Sequence, residues 1–172
     1  VVAKLCSIEN ELICRSLQEF RGVRSRFEYV TEIEGRRFYN DTTATTPDAC
    51  IAALETLGKD KKGKIILIAG GADKNLEFDE LAQVIKDHVS SLILLSGTAT
   101  PHLATCVVQA GFIGSLDMAN SMTEALMKAW KHSWKGDTII LSPACASCGM
   151  FVNEIDRGER FIHEVQRLTH AT

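Results

Sequence analysis

Apolar runs of strand length alternate along this chain with stretches whose apolar residues recur at helical spacing, and few folds accommodate that order. The runs are Lys64–Ala69, Leu92–Leu95 and Thr138–Leu141, with a shorter one at Ser115–Met118. Between the first two, Phe78, Leu81, Ala82, Ile85 and Val89 fall on one helical face. Strands separated by helices need crossover connections, which make neighbouring strands parallel and cover both faces of the sheet. The expected architecture is α/β and Rossmann-like: a mostly parallel open sheet, helices on both faces and a small N-terminal hairpin.

Local punctuation supports the element boundaries. Thr46-Pro47-Asp48 supplies a cap, a proline for the first turn and an early carboxylate, and Gly58 is expected to close that helix. Thr100-Pro101 opens another helix, with Gly111 at its end, and Ser121-Met-Thr-Glu124 is a capping box leading through Trp130. Phe151, Ile155, Ile162, Val165 and Leu168 form the stripe of a last helix. The N-terminal part reads as a helix end at Val1–Leu5, a helix over Glu11–Phe20, and a hairpin of Phe27–Ile33 and Arg37–Asn40 turning at Glu34-Gly35.

A length of 172 residues fits one ordinary domain without staples. A net charge of -3 with no basic stripe gives no electrostatic case for nucleic acid. No apolar run approaches about 18 residues, so no membrane partner is expected, and no signal peptide stands at the start. Cys6, Cys14, Cys50 and Cys106 sit in apolar helical patterns, which suits reduced core thiols and a cytoplasmic setting. His88, His102, His132, His163 and His170 are scattered and read as surface or helix-end residues. Lys59–Lys62 reads as a solvated turn.

The chemistry is expected on loops at the carboxyl edge of the sheet. Asn40-Asp-Thr-Thr-Ala-Thr-Thr46 sets hydroxyls before a helix N-terminus, which favours an anion. Gly70-Gly71-Ala-Asp-Lys74-Asn75 offers close backbone approach and one cation. It is neither a dinucleotide fingerprint nor a phosphate loop, which argues against an oxidoreductase. Leu141-Ser-Pro-Ala-Cys-Ala-Ser147 is either a thiol site, through Cys145-x-x-Cys148, or a substrate cradle. No second Cys pair or nearby histidine completes a metal site there.

These three loops, with Phe20-Arg-Gly22 and Arg26-Phe-Glu28 before them and Arg157-Gly158-x-x-Phe161 after them, resemble the C-terminal domain of the Mur ligases, in the branch that adds D-glutamate. The resemblance runs from Ser16 to Leu168. It implies a domain that contacts nucleotide and amino acid in an ATP-dependent ligase of peptidoglycan precursor synthesis. In that reaction ATP phosphorylates the carboxylate of UDP-N-acetylmuramoyl-L-alanine, and the amine of D-glutamate displaces phosphate. By position, Arg26 and Asp41 would contact the nucleotide, while Thr45, Lys74, Ser147 and the backbone at Cys148 would hold D-glutamate. ATP and magnesium are cofactors of the whole ligase. This chain alone is expected to hold neither and to carry no catalytic residue or metal site.

Against the commonest pattern of that family, Ser25 stands in place of a histidine, Thr43 in place of a lysine, Ala72 lacks an acidic side chain, and Glu154 replaces an aromatic. A Glu154 carboxylate has to point away from a carboxylate ligand. Residues 1–172 are expected to be one domain of a longer ligase, with residues 1–20 left from a preceding central domain or linker. The partners are then the upstream domains of the same chain, and the isolated domain is expected to be inactive. A free-standing nucleotide or small-carboxylate binding domain is the alternative, since one fold hosts many functions.

Overall fold

The computed structural model describes residues 2–20, 22–60 and 63–171. A six-stranded sheet organises the chain in the order β1-β2-β6-β3-β4-β5. Its strands are β1 (Glu28–Ile33), β2 (Arg36–Asn40), β3 (Ile65–Ala69), β4 (Val89–Leu95), β5 (Ser115–Ala119) and β6 (Thr138–Leu141). The β1–β2 pair is the expected hairpin and is antiparallel, whereas β2, β6, β3, β4 and β5 run parallel. The helices are α1 (Val2–Leu5), α2 (Asn10–Glu19), α3 (Pro47–Asp60), α4 (Asp79–His88), α5 (Thr100–Gln109), α6 (Met122–His132) and α7 (Glu154–Ala171).

The two-residue period of the central strands builds a core on each face. Ile65, Leu67, Ala69, Leu92, Leu94 and Ile140 meet Leu54 of α3, Ile85 of α4 and Val107 of α5. Their neighbours Ile66, Ile68, Ile93, Leu95, Ile139 and Leu141 face the other way, against Leu126 of α6 and Phe161 and Val165 of α7. Burial on both faces is why these strands read as unbroken apolar runs. The chain leaves β3 through α4 on one face, and leaves β6, the neighbour of β3, through α7 on the other. Their loops diverge and open a crevice at the carboxyl edge, where ligands of open α/β sheets bind.

Several boundaries differ from expectation. Gly58 does not end α3, which continues to Asp60. A Cβ at Gly58 would lie 2.5 Å from His88 Nδ1, so the glycine serves close packing against α4. Val89 begins β4 instead of completing the α4 stripe, and Ser90 and Ser91 hide the start of that strand from a hydropathy pattern. Phe151 precedes α7, and Ile155 is exposed rather than part of its buried stripe. Cys50 and Cys106 are buried as expected, but Cys6 and Cys14 are exposed because neither α1 nor α2 has a buried face.

The capping box is present in modified form. Ser121 Oγ accepts from Glu124 N at 3.1 Å, while Glu124 Oε2 accepts from Asn120 N at 2.8 Å, one residue before the cap. His88 and His132 end helices, His102 lies edge-on to Phe78, and His163 is exposed on α7. Lys59 is exposed, whereas Arg21 of the Phe20–Gly22 motif, Lys61, Lys62 and the side chain of His170 lie outside the described residues. At the amino edge Arg36 stacks 4.1 Å over Trp130, whose ring lies parallel to that of fully buried Phe38 at 6.3 Å. Phe38→Ala is expected to destabilise the domain by about 3–5 kcal/mol, read as a lowered midpoint in urea denaturation.

Candidate functional site

The carboxyl edge is a set of loops sewn together by backbone hydrogen bonds. Asp41 N donates to Leu141 O at 2.8 Å and Ala144 N donates to Ala44 O at 2.9 Å, joining the loop after β2 to the loop after β6. Ala72 and Ala146 exchange bonds of 2.9 and 3.2 Å, joining the loop after β3 to the same partner. Gly71 permits that approach: a Cβ there would stand 2.2 Å from Ala146 O, and its φ of 147° favours glycine.

Asp41 is nearly buried and sits at the first junction. Its Oδ1 accepts from Phe27 N at 2.9 Å and its Oδ2 from the Ser142 hydroxyl at 2.8 Å. Burial raises its pKa; the bonds from Ser142 and Phe27 and the charge of Arg26 oppose the shift without cancelling it. Arg26, Phe27, Asp41 and Thr43 line a cavity of about 400 Å³ whose other wall is Ala49 and Ala52 of α3. The sequence-derived pair Arg26 and Asp41 is therefore brought to one concave surface. Thr43 donates its hydroxyl to Ser25 O at 2.8 Å and acts as a tie.

Lys74 and Thr45 are also brought together, from loops 29 residues apart. Lys74 Nζ donates to both Thr45 O and Thr45 Oγ1 at 3.2 Å, and the lysine stays exposed. Ser147 is nearly buried and reaches the same edge through the backbone, one residue after Ala146, whose partner Ala72 lies two residues before Lys74. Cys148 is exposed and lines a different cavity of about 410 Å³, with Ala72, Gly97, Asn120 and Met150. It does not share the cavity of Arg26 and Asp41.

One residue at the centre of this arrangement had no role assigned from sequence. Arg157 has no exposed surface, and its guanidinium donates to Thr42 Oγ1 at 3.0 Å, Thr42 O at 2.8 Å and Cys145 O at 3.1 Å. Thr42 Oγ1 in turn donates to Glu154 O at 2.8 Å. Burial lowers the Arg157 pKa to about 10, which leaves it charged at neutral pH. Gly158 lets α7 come this close, since a Cβ would lie 2.5 Å from Thr42 Cγ2. The motif Arg157-Gly158-x-x-Phe161 was the available signal, but hydropathy alone places an arginine at the surface. The Glu154 side chain is exposed at the start of α7, and its charge supports that of Arg157.

The thiol reading of the turn after β6 meets an obstacle. Burial pushes the Cys145 thiol up to about 12 even with Arg157 nearby, whereas exchange chemistry needs a depressed thiol pKa. Among the described residues no group of three or more His, Cys, Asp or Glu side chains is arranged to hold a metal ion, and no helix is long and apolar enough to cross a membrane. Alkylation at neutral pH is expected to label exposed Cys6, Cys14 and Cys148 and to spare Cys50 and Cys145 until the protein unfolds; rapid native-state labelling of Cys145 would restore the thiol reading.

Comparison with known proteins finds the family described as Mur ligase, glutamate ligase domain, over residues 25–145. A UDP-N-acetylmuramoylalanine--D-glutamate ligase from Caldanaerobacter subterraneus subsp. tengcongensis is 42% identical over 167 residues, and one from Roseiflexus sp. is 42% identical over 172. Each alignment covers 97% of this chain and 36% of the relative, so the chain spans little more than a third of the curated relatives it matches. The structure of UDP-N-acetylmuramate-alanine ligase from Thermotoga maritima matches with a TM-score of 0.71 at 15% identity, covering 97% of this chain and 36% of that one. MurF ligase from Thermotoga maritima in complex with ADP matches with a TM-score of 0.61 at 16% identity, with the same coverages. At these identities the two structures share the fold.

Proposed function

The chain belongs to the Mur ligase family, and on that premise we propose that it is the C-terminal domain of an ATP-dependent ligase that adds D-glutamate to UDP-N-acetylmuramoyl-L-alanine in peptidoglycan precursor synthesis. Residues 1–172 act as one domain of a longer cytoplasmic enzyme, with residues 1–20 belonging to the preceding central domain or linker. The observation that carries the assignment is the contact of Lys74 with Thr45 beside the loop bearing Ser147. A dicarboxylate amino acid requires a cation and short donors, and this edge presents an ammonium, two hydroxyls and the backbone at Cys148. In the bound state Lys74 would exchange its bonds to Thr45 for a carboxylate, with Thr45 and Ser147 completing the donors.

ATP supplies the phosphoryl group that turns the L-alanine carboxylate into an acyl phosphate. Arg26 would neutralise charge on the nucleotide phosphates. Asp41 has its carboxylate engaged by Phe27 and Ser142 but still faces the cavity, and would accept from a ribose hydroxyl. Their contribution is orientation and charge compensation. Magnesium would be a cofactor of the whole ligase, since among the described residues no group of three or more His, Cys, Asp or Glu side chains is arranged to hold a metal ion. Phosphoryl transfer itself would fall to the upstream domains.

The test uses the full-length protein, with ATP, UDP-N-acetylmuramoyl-L-alanine and D-glutamate as substrates. Lys74→Ala and Ser147→Ala are each expected to raise the KM for D-glutamate by about tenfold to a hundredfold, the scale of a lost bond to a charged group, and to spare the KM for ATP. Substitutions that change only the KM for ATP would overturn the pocket assignment.

A further inference from the structure

Two residues flanking Arg26 hold left-handed backbone, Ser25 at φ 64° and Phe27 at φ 46°. A residue with a Cβ keeps such a conformation only where its surroundings impose it. Here a carboxylate takes the amide of each. Asp41 Oδ1 accepts from Phe27 N at 2.9 Å, and Glu28 Oε2 accepts from Ser25 N at 2.8 Å. Ser25 is also held from its other side, because its carbonyl accepts from Thr43 N at 3.1 Å and Thr43 Oγ1 at 2.8 Å.

Glu28 reaches beyond this turn. The same oxygen accepts from Asn40 Nδ2 at 3.3 Å, and Asn40 Oδ1 accepts from Thr42 N at 3.2 Å. Asn40 is fully buried and Glu28 half-buried, and the relay joins the Arg26 turn to the loop that carries Asp41. Arg26, Phe27 and Asp41 line the 400 Å³ cavity, and Glu28 is not part of that lining.

We propose that Glu28 is a positioning residue for Arg26: it fixes the strained turn that presents Arg26 to the cavity, and so governs nucleotide binding without touching the nucleotide. This rests on the assignment of Arg26 to the nucleotide phosphates. Glu28→Ala removes the acceptor for both Ser25 N and Asn40 Nδ2. Glu28→Gln keeps an oxygen for Ser25 N, and a structural hydrogen bond is thereby separated from the charge.

The experiment compares Glu28→Ala, Glu28→Gln, Arg26→Ala and the double variant Arg26→Ala/Glu28→Ala in the full-length protein. Equilibrium binding of a non-hydrolysable ATP analogue and the KM values for ATP and D-glutamate are measured for each. Glu28→Ala is expected to weaken nucleotide binding by about tenfold, the scale of a lost charge-assisted bond, with the KM for D-glutamate unchanged. Glu28→Gln recovers most of that loss, and Glu28→Ala adds nothing once Arg26 is alanine, as two residues acting through one contact require. An equal loss in both backgrounds, or a KM for D-glutamate that rises in step with that for ATP, would overturn the proposal. If Arg26→Ala binds nucleotide as the wild type does, the assignment of Arg26 itself fails, and a remaining effect of Glu28→Ala shows that Glu28 works by another route. Should Glu28→Ala fail to fold, Glu28→Asp draws the carboxylate back by one methylene and is expected to give the same pattern in weaker form; wild-type nucleotide binding in that variant would overturn the proposal.

Discussion

The buried guanidinium of Arg157 is the interaction on which the carboxyl edge depends. Its three hydrogen bonds end on the hydroxyl and carbonyl of Thr42 and the carbonyl of Cys145, so one side chain on α7 holds the loop after β2 against the loop after β6. Removing a cation from water is costly, and carbonyl oxygens repay that cost only when the geometry is good. An arginine suits the position because its planar fork reaches two segments at once and stays charged despite burial. The glycine that follows removes the one side chain that would keep α7 from Thr42.

That staple acts on a crevice created by topology. Because β3 and β6 are neighbours and send their chains to opposite faces, the loops after them separate, and the loop after β2 closes the third side. Backbone bonds then fix the three loops against one another and bring Lys74 to Thr45, with Ser147 buried in the loop after β6. The charged groups are distributed unevenly. Arg157 is buried behind the loops, Lys74 is exposed in front of them, and Asp41 is held between Phe27 and Ser142. Loops tied in this way are preorganised, so that side chains on them need little rearrangement of their own backbone to meet a ligand.

Much of the fold was legible in the sequence because burial on both faces leaves a plain mark. Lys64–Ala69, Leu92–Leu95 and Thr138–Leu141 could be read as parallel central strands, and they are β3, part of β4, and β6. The failures came where one residue type serves two ends. Gly58 looked like a helix stop but is a packing contact with His88, and Val89 continued a helical period while beginning a strand. Phe151 shared the α7 spacing but belongs to the preceding loop. Loop residues bearing charge or hydroxyls, such as Asp41, Thr45 and Lys74, were visible in the sequence as candidates, whereas the buried tie made by Arg157 was not. The bonds of Arg157 to Thr42 and of Glu28 to Asn40 join residues distant along the chain, and no local pattern encodes those pairings.

Through Arg157 the loops after β2 and β6 are held as one unit. Amide hydrogen exchange in the full-length protein carrying Arg157→Lys tests this directly, since lysine keeps the charge and loses the fork. The expected result is that Asp41 N, bonded to Leu141 O, and Ala144 N, bonded to Ala44 O, lose protection together while Ile68 and Ile93 in the central strands keep theirs. Unchanged protection at both amides, or loss at only one of the two loops, would contradict it.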